Sequence, residues 1–184
     1  MGRSLLIILG IIAALLIVPV LTYNSLVTKA ENVDSAWAQV ENQLQRRADL
    51  IPNLVETVKG YTRHERELFT QIAEARSKLA GAQSVPQAAQ AYSQVNSALS
   101  RLLVVVERYP DLKANQNYIQ LMDELSGTEN RVAVERKRYN DAVRVYNRSI
   151  KTFPTVMLAN TLGFATKEYF QVEEGARVVP QVQF

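Results

Sequence analysis

Apolar side chains recur along this chain at a four-and-three spacing that keeps one phase from Val33 to Leu79. Counting in sevens from Val33 gives Val33, Val40, Arg47, Leu54, Tyr61, Leu68 and Ala75; counting from Trp37 gives Trp37, Leu44, Ile51, Val58, Glu65, Ile72 and Leu79. Twelve of these fourteen positions are apolar or aromatic, so the stretch predicts one long helix whose stripe packs against partner helices. The phase passes unchanged through Pro52, which predicts a kink rather than a stop. A mid-helix proline has no N–H for the carbonyl four residues back, here that of Ala48, at a cost of about 3 kcal/mol in isolation.

Gly81 then reads as a helix C-cap and Pro86 as the first position of a second helix, running to Arg108 through Tyr92, Val95, Leu99, Leu102 and Val106. Tyr109-Pro110-Asp111 reads as a turn with Asp111 as N-cap. A third apolar-periodic run covers 112–126 and a fourth covers 128–153. The two are in phase across Gly127, yet Ser126-Gly127-Thr128 carries the residues of a C-cap followed by an N-cap. A continuous helix of about 60 Å would overshoot a second helix of about 35 Å, which favours a turn at Gly127. Beyond Phe153-Pro154 the periodicity stops. The remainder is too apolar for a solvated tail and predicts an extended segment with a short helix near Met157 to Leu162, packed along the bundle or at a partner surface.

At the other end, Ser4 to Thr28 holds no charge and Leu5 to Leu21 is apolar throughout. A helix needs roughly 20 such residues to cross a bilayer. A cleaved signal peptide would need a small-x-small site, which VPVLTYNSL lacks. The expectation is a single-pass anchor at 1–27, a helical bundle at 28–153 and a packing segment at 154–184. Arg3 against Lys29 narrowly favours an N-terminus in the cytoplasm and an exported bundle.

The formal charge of +3 is small, and cations alternate with anions, which argues against nucleic acid as a partner. There are no cysteines, so disulfides, thiolate metal sites and a cysteine nucleophile are excluded. The single histidine, His64, opens HEREL and lacks the second histidine of a zinc protease helix; no Ser-x-x-Lys, Gly-x-Ser-x-Gly or phosphate-binding glycine loop is present. The chain is therefore expected to be no enzyme and to hold no cofactor. Four charges fall on core stripes: Arg47, Glu65, Glu129 and Arg136. A di-iron carboxylate site would need a Glu-x-x-His pair on each of two helices. None exists, so the four predict a buried ion-pair layer that fixes register, with Glu65 opposite Arg136 if the chain turns at Gly127. Asn140 and Asn147 are expected to do similar work by hydrogen bonding. Lys137, Arg144, Arg148 and Lys151 form a basic stripe on the fourth helix, read as a solvated face or as a contact with anionic lipid headgroups. Val33, Trp37, Val40 and Leu44 would lie below the bundle, and a bare apolar stripe there predicts a homo-oligomer in the membrane.

The chain resembles the LemA family in YNSLV at 23–27, QRRADLIPNLVETVKGY at 45–61, RLLVVVERYPDLKANQNY at 101–118, GTENRVAVERKRYNDAV at 127–143, the Phe153-Pro154 pair and the closing FQVEEGARVVPQVQF. The resemblance implies a bacterial inner-membrane protein: an N-terminal span, then an antiparallel four-helix bundle, with no established catalytic activity. It also implies occurrence beside HtpX-type proteases and TPM-domain membrane proteins. The lipoprotein-like cysteine of some relatives is absent here, which leaves the apolar run to anchor the chain. The expected function is a non-enzymatic envelope scaffold that contacts the bilayer and self-associates; the alternatives are an accessory of a membrane protease and a carboxylate metal-binding bundle.

Overall fold

The structure, a computed structural model, describes residues 2–62 and 65–171, without the side chains at 3–5 and 11–15. Among the described residues every regular element is a helix: α1 (Gly2–Lys59), α2 (Arg66–Ala80), α3 (Val85–Val106), α4 (Pro110–Lys113), α5 (Gln116–Lys151) and α6 (Thr155–Thr161). They form two compact units. One comprises the residues up to Val40 with Glu135–Glu168, the other Glu41–Val134 with the residues from Tyr169 onward.

In the second unit the long helix expected to run to Leu79 instead ends at Lys59. The backbone N–H groups of Tyr61 and Thr62 both donate to the Val58 carbonyl, at 3.0 and 3.1 Å, and the Thr62 hydroxyl joins them at 3.2 Å. With the Val58 carbonyl so filled, the helix closes and α2 returns antiparallel along it. The Arg76 Nε reaches the Ala48 carbonyl at 2.8 Å, and Lys59 Nζ lies 5.8 Å from the Phe69 ring centroid. The heptad phase survives this fold-back because Leu68, Ile72, Ala75 and Leu79 still face the core.

Helix α3 is capped by Ser84, whose side chain accepts from the Gln87 N–H, with a proline in its first turn. It runs antiparallel to α2, joined by Lys78 to Gln94 at 3.2 Å and Arg101 to Gln71 at 2.9 Å. Asp111 does not serve as an N-cap; it lies in the first turn of α4. That role falls to Asn115, whose Oδ1 accepts from the Tyr118 N–H at 3.1 Å to open α5. Asn115 also donates to the Tyr61 hydroxyl at 2.9 Å, and further on Arg47 meets Glu129 at 2.8 Å. As many residues separate Tyr61 from Arg47 as Asn115 from Glu129, so α5 descends antiparallel to α1 in even register.

No turn interrupts α5 at Gly127. The Thr128 hydroxyl turns back onto the Leu125 carbonyl at 2.7 Å, a bond made inside the helix rather than as a cap. The overshoot that favoured a turn does not arise, because in the first unit the later part of α5 packs along the early part of α1. There Trp37 and Tyr139 meet with ring centroids 5.2 Å apart. Leu26, Val33 and Val40 of α1 and Tyr139, Val143, Tyr146 and Ile150 of α5 are buried. The expected short helix is α6. Gly163, at φ 77, lets the Phe164 N–H bond back to the Ala159 carbonyl at 3.0 Å and sends the chain on without regular structure through 164–171. Among the described residues, which leave out the side chains at 3–5 and 11–15, no helix is long and apolar enough to cross a membrane. The run Leu5 to Leu21 lies within α1, where Leu6, Leu9, Leu16 and Leu21 are exposed.

Pro52 and Arg76 form a coupled pair. Pro52 deprives the buried Ala48 carbonyl of its helical donor, and Arg76 on the returning helix supplies a charged one. Arg76→Met should cost about 1.5–3 kcal/mol, the range for a hydrogen bond to a charged group, whereas the same change in a Pro52→Ala background should cost less than half as much. Urea midpoints of the four proteins in this cycle check it. Equal costs in both backgrounds would show that Arg76 does not compensate for the proline.

Candidate functional site

Arg47 is the one charge on the α1 stripe that goes fully inside, at 6 % exposure. Its Nη2 donates to Asn96 Oδ1 at 2.9 Å, and its Nη1 donates to the Leu125 carbonyl at 3.2 Å and to the Thr128 hydroxyl at 3.5 Å. The guanidinium lies 5.6 Å from the Tyr92 ring centroid, within cation–π range. Nη1 is also 2.8 Å from Glu129 Oε2; that contact is an ion pair by distance and lacks hydrogen-bond alignment. Three helices thus converge on one planar cation, whose fork suits several acceptors at once. Burial pushes the Tyr92 hydroxyl well above its ordinary pKa, and a hydrogen bond with Glu129 adds to the effect. It is held as a neutral donor, not as a phenolate nucleophile. A cleft of about 400 Å³ opens beside this layer, with Arg47, Asn96, Ser100, Ser126, Glu129 and Asn130 among its walls.

Of the expected four-charge layer, the structure brings Arg47 and Glu129 together and separates the rest. Glu65 pairs with Arg108 at 3.0 Å, not with Arg136, because α5 runs on through Gly127 and its register differs from the one a turn would give. Arg136 is half-buried three residues before Tyr139, the residue that meets Trp37. His64 lies outside the described residues. Among the described residues no three metal-ligating side chains stand together.

The second constellation lies in the first unit, where α5 grips the segment after α6 by its main chain. The Tyr139 hydroxyl donates to the Glu168 carbonyl at 2.7 Å and the Tyr146 hydroxyl to the Ala165 carbonyl at 3.0 Å. Asn147 makes two bonds to Lys167: its Nδ2 donates to the carbonyl at 2.8 Å, and its Oδ1 accepts the N–H at 2.9 Å. Lys167 Nζ reaches Asp34 at 2.7 Å. Burial, reinforced by the Asp34 and Glu168 carboxylates, pushes the Tyr139 hydroxyl up to about 12, in keeping with its role as a donor. Asn147 is marked in the sequence by its place beside a seam tyrosine. The tyrosine hydroxyls are not, because a tyrosine on an apolar stripe reads simply as core.

Val33, Val40 and Leu44, expected as a bare oligomer stripe, are buried within the chain, and Trp37 is half-buried against Tyr139. The premise of an uncovered stripe is therefore corrected: the continuous α5 reaches further along α1 than a turn at Gly127 would allow. Lys137, Arg144, Arg148 and Lys151 are all exposed, with Arg144 pairing Asp141 at 2.9 Å.

The LemA family profile matches residues 36–184. Among the similar proteins are two magnetosome proteins MamQ. One, from Paramagnetospirillum magneticum, is 29 % identical over 194 residues, spanning 91 % of this chain and 70 % of that protein. The other, from Magnetospirillum gryphiswaldense, is 26 % identical over 174 residues, spanning 80 % and 64 %. The protein LemA of Metamycoplasma hominis is 28 % identical over 156 residues, 84 % of this chain and 71 % of that one.

Proposed function

The chain belongs to the LemA family, and from that premise we propose a non-enzymatic helical scaffold of the bacterial envelope, held in the inner membrane by the first part of α1. The observation that carries the anchor is the apolar run inside that helix. Its described large side chains stay exposed, Leu6 at 70 % and Leu16 at 67 %, while the same helix buries Leu26, Val33 and Val40 a few turns on. A helix that changes from exposed leucines to a sealed stripe within a few turns is suited to two surroundings, lipid first and protein next. The scaffold reading is supported by how the polar residues are used. Arg47, Asn96, Thr128, Tyr139, Tyr146 and Asn147 all make side-chain hydrogen bonds within the fold itself. Because the stripe of Val33, Val40 and Leu44 is occupied within the chain, no subunit contact is placed there.

Cell fractionation tests the anchor. The wild-type chain should resist extraction by alkaline carbonate, and Leu9→Arg with Leu16→Arg should release it, each arginine costing about 2.5–3.5 kcal/mol near the centre of a span. Release of the wild type by carbonate would refute the anchor. In the same cells Gln83→Cys, on an exposed turn of a chain without other cysteines, reports orientation through an impermeant maleimide. Labelling before lysis agrees with an exported bundle, and labelling only after lysis reverses it. Crosslinking and mass spectrometry on intact membranes then tests the scaffold, which predicts links to other envelope proteins.

A further inference from the structure

Phe153, at 76 %, is the most exposed large apolar side chain described in the molecule, and Met157 follows one helical turn on at 65 %. Leu162 at the end of α6 is exposed as well, while Ala159 on the other side of that helix is sealed. These residues lie in a fifteen-residue stretch, 152–166, that carries no charge and is bracketed by Lys151 and Lys167. Arg148 and Lys151, in the last turn of α5, are exposed.

The placement of this stretch is fixed within the first unit. Trp37 meets Tyr139, and α5 then runs antiparallel to α1 towards the apolar run, so its basic last turn comes alongside the α1 residues that follow Leu21. Phe164, just after α6, packs edge-on against Tyr23, with centroids 5.9 Å apart, two residues beyond the end of the run. The exposed apolar side chains of 153–162 are thus gathered where α1 leaves its apolar segment, with two cations beside them. A short apolar helix flanked by lysine and arginine at such a level has the make-up of an interfacial element, whose apolar side enters the acyl boundary while the cations meet phosphates.

We propose that Phe153, Pro154 and α6 form a second membrane contact, in which Phe153, Met157 and Leu162 enter the bilayer interface and Arg148 and Lys151 bind anionic phospholipid headgroups. The inference rests on the reading of α1 as an anchor and adds a site to it. Such a contact fixes the tilt and rotation of the first unit on the membrane, which a single helix passing through the bilayer leaves free. It also converts the headgroup composition of the membrane into an input to the protein.

The absence of native cysteines allows a direct test on the full chain. Single Met157→Cys, Leu16→Cys and Gln83→Cys proteins, labelled with an environment-sensitive fluorophore, are reconstituted in phosphatidylcholine vesicles with or without phosphatidylglycerol. Quenching by doxyl groups placed shallow or deep on the acyl chains is then read. The expected result is shallow quenching at the 157 label several-fold above that at the 83 label, stronger with phosphatidylglycerol, and at least halved by Arg148→Glu with Lys151→Glu while the 16 label is unchanged. Quenching at 16 together with a 157 label no more quenched than the 83 label would overturn the second contact and leave the anchor standing. A 157 label that is shielded from water yet not quenched by lipid overturns it in favour of a protein cover, such as a second copy. Quenching at 157 that ignores both phosphatidylglycerol and the charge reversals overturns the headgroup assignment. If the 16 label is not quenched by deep doxyl groups, it is the anchor reading that fails.

Discussion

Replacing Tyr139 with alanine is expected to destabilise the chain by about 3–5 kcal/mol, the range for removing a large aromatic from a packed core. Tyr139 is buried, packs against Trp37 and holds the Glu168 carbonyl, so the truncation opens a cavity, strips a ring contact and frees the segment after α6 together. Tyr139→Phe keeps the ring and loses only the hydroxyl bond, and should cost about 1 kcal/mol. Urea midpoints of the two variants separate packing from tethering; a phenylalanine variant as weak as the alanine one would show that the hydroxyl bond, not the ring, dominates. The pH dependence has a definite sign. The folded protein holds the Tyr139 proton more tightly than the unfolded chain, where a phenol titrates near 10. Its contribution is therefore complete below about pH 10 and declines as pH rises towards the folded value of about 12. Tyr92 acts in the same direction, so Tyr139→Phe should flatten that decline in part and not abolish it.

Arg47→Met is the second large expected effect, about 2–4 kcal/mol. It leaves Asn96 and the Leu125 carbonyl without their shared donor and places an apolar chain beside Glu129. Glu129 is nearly half exposed, so Glu129→Gln should cost no more than about 1 kcal/mol. Arg47→Lys keeps the charge but has no planar fork to reach Asn96 and Leu125 together, and should recover less than half of the loss. A lysine variant as stable as the wild type, measured by chemical denaturation, would mean that charge alone matters and that the convergence of three helices on the guanidinium is incidental.

These residues differ in how far the sequence discloses them. Arg47 and Glu129 stand out as charges on apolar stripes, but so do Glu65 and Arg136, and which of the four meet depends on the course of α5, which the stripes do not record. The break after Lys59 does not stand out, because the stripe keeps its phase from Val58 to Leu68, and phase records which side of a helix is buried, not whether the helix continues or doubles back. One other difference stems from this one. A continuous helix to Leu79 would carry Arg76 far from Ala48, so the donor for the carbonyl opened by Pro52 is invisible in the sequence although the carbonyl itself is marked. The turn expected at Gly127 has a separate source: set against a second helix of about 35 Å, α5 looks too long, and Ser126-Gly127-Thr128 then has the look of a turn. Cap residues report what a sequence tolerates at a helix end; inside α5 the same Thr128 is satisfied by Leu125 and the helix passes on. Asn147 is legible as a hydrogen-bonding residue, but its partner is a main-chain group, and main-chain groups are alike at every position in a sequence.

That last property shapes how the segment after α6 is free to vary. From Ala165 to Glu168 the grip of Tyr139, Tyr146 and Asn147 falls on carbonyls and one N–H, while the side chains of Ala165, Thr166 and Glu168 point outward into solvent. Whatever residues stand there, the helix finds the same acceptors at the same places. Mutations can accumulate across these three positions without loosening the hold, yet Lys167→Pro would delete the one N–H in the grip and leave the Asn147 Oδ1 without its donor. Side-chain identity counts at Phe164, which lies on Tyr23, and at Lys167, which pairs with Asp34. Between those two side chains and just beyond, the segment is a strap held by its own weave.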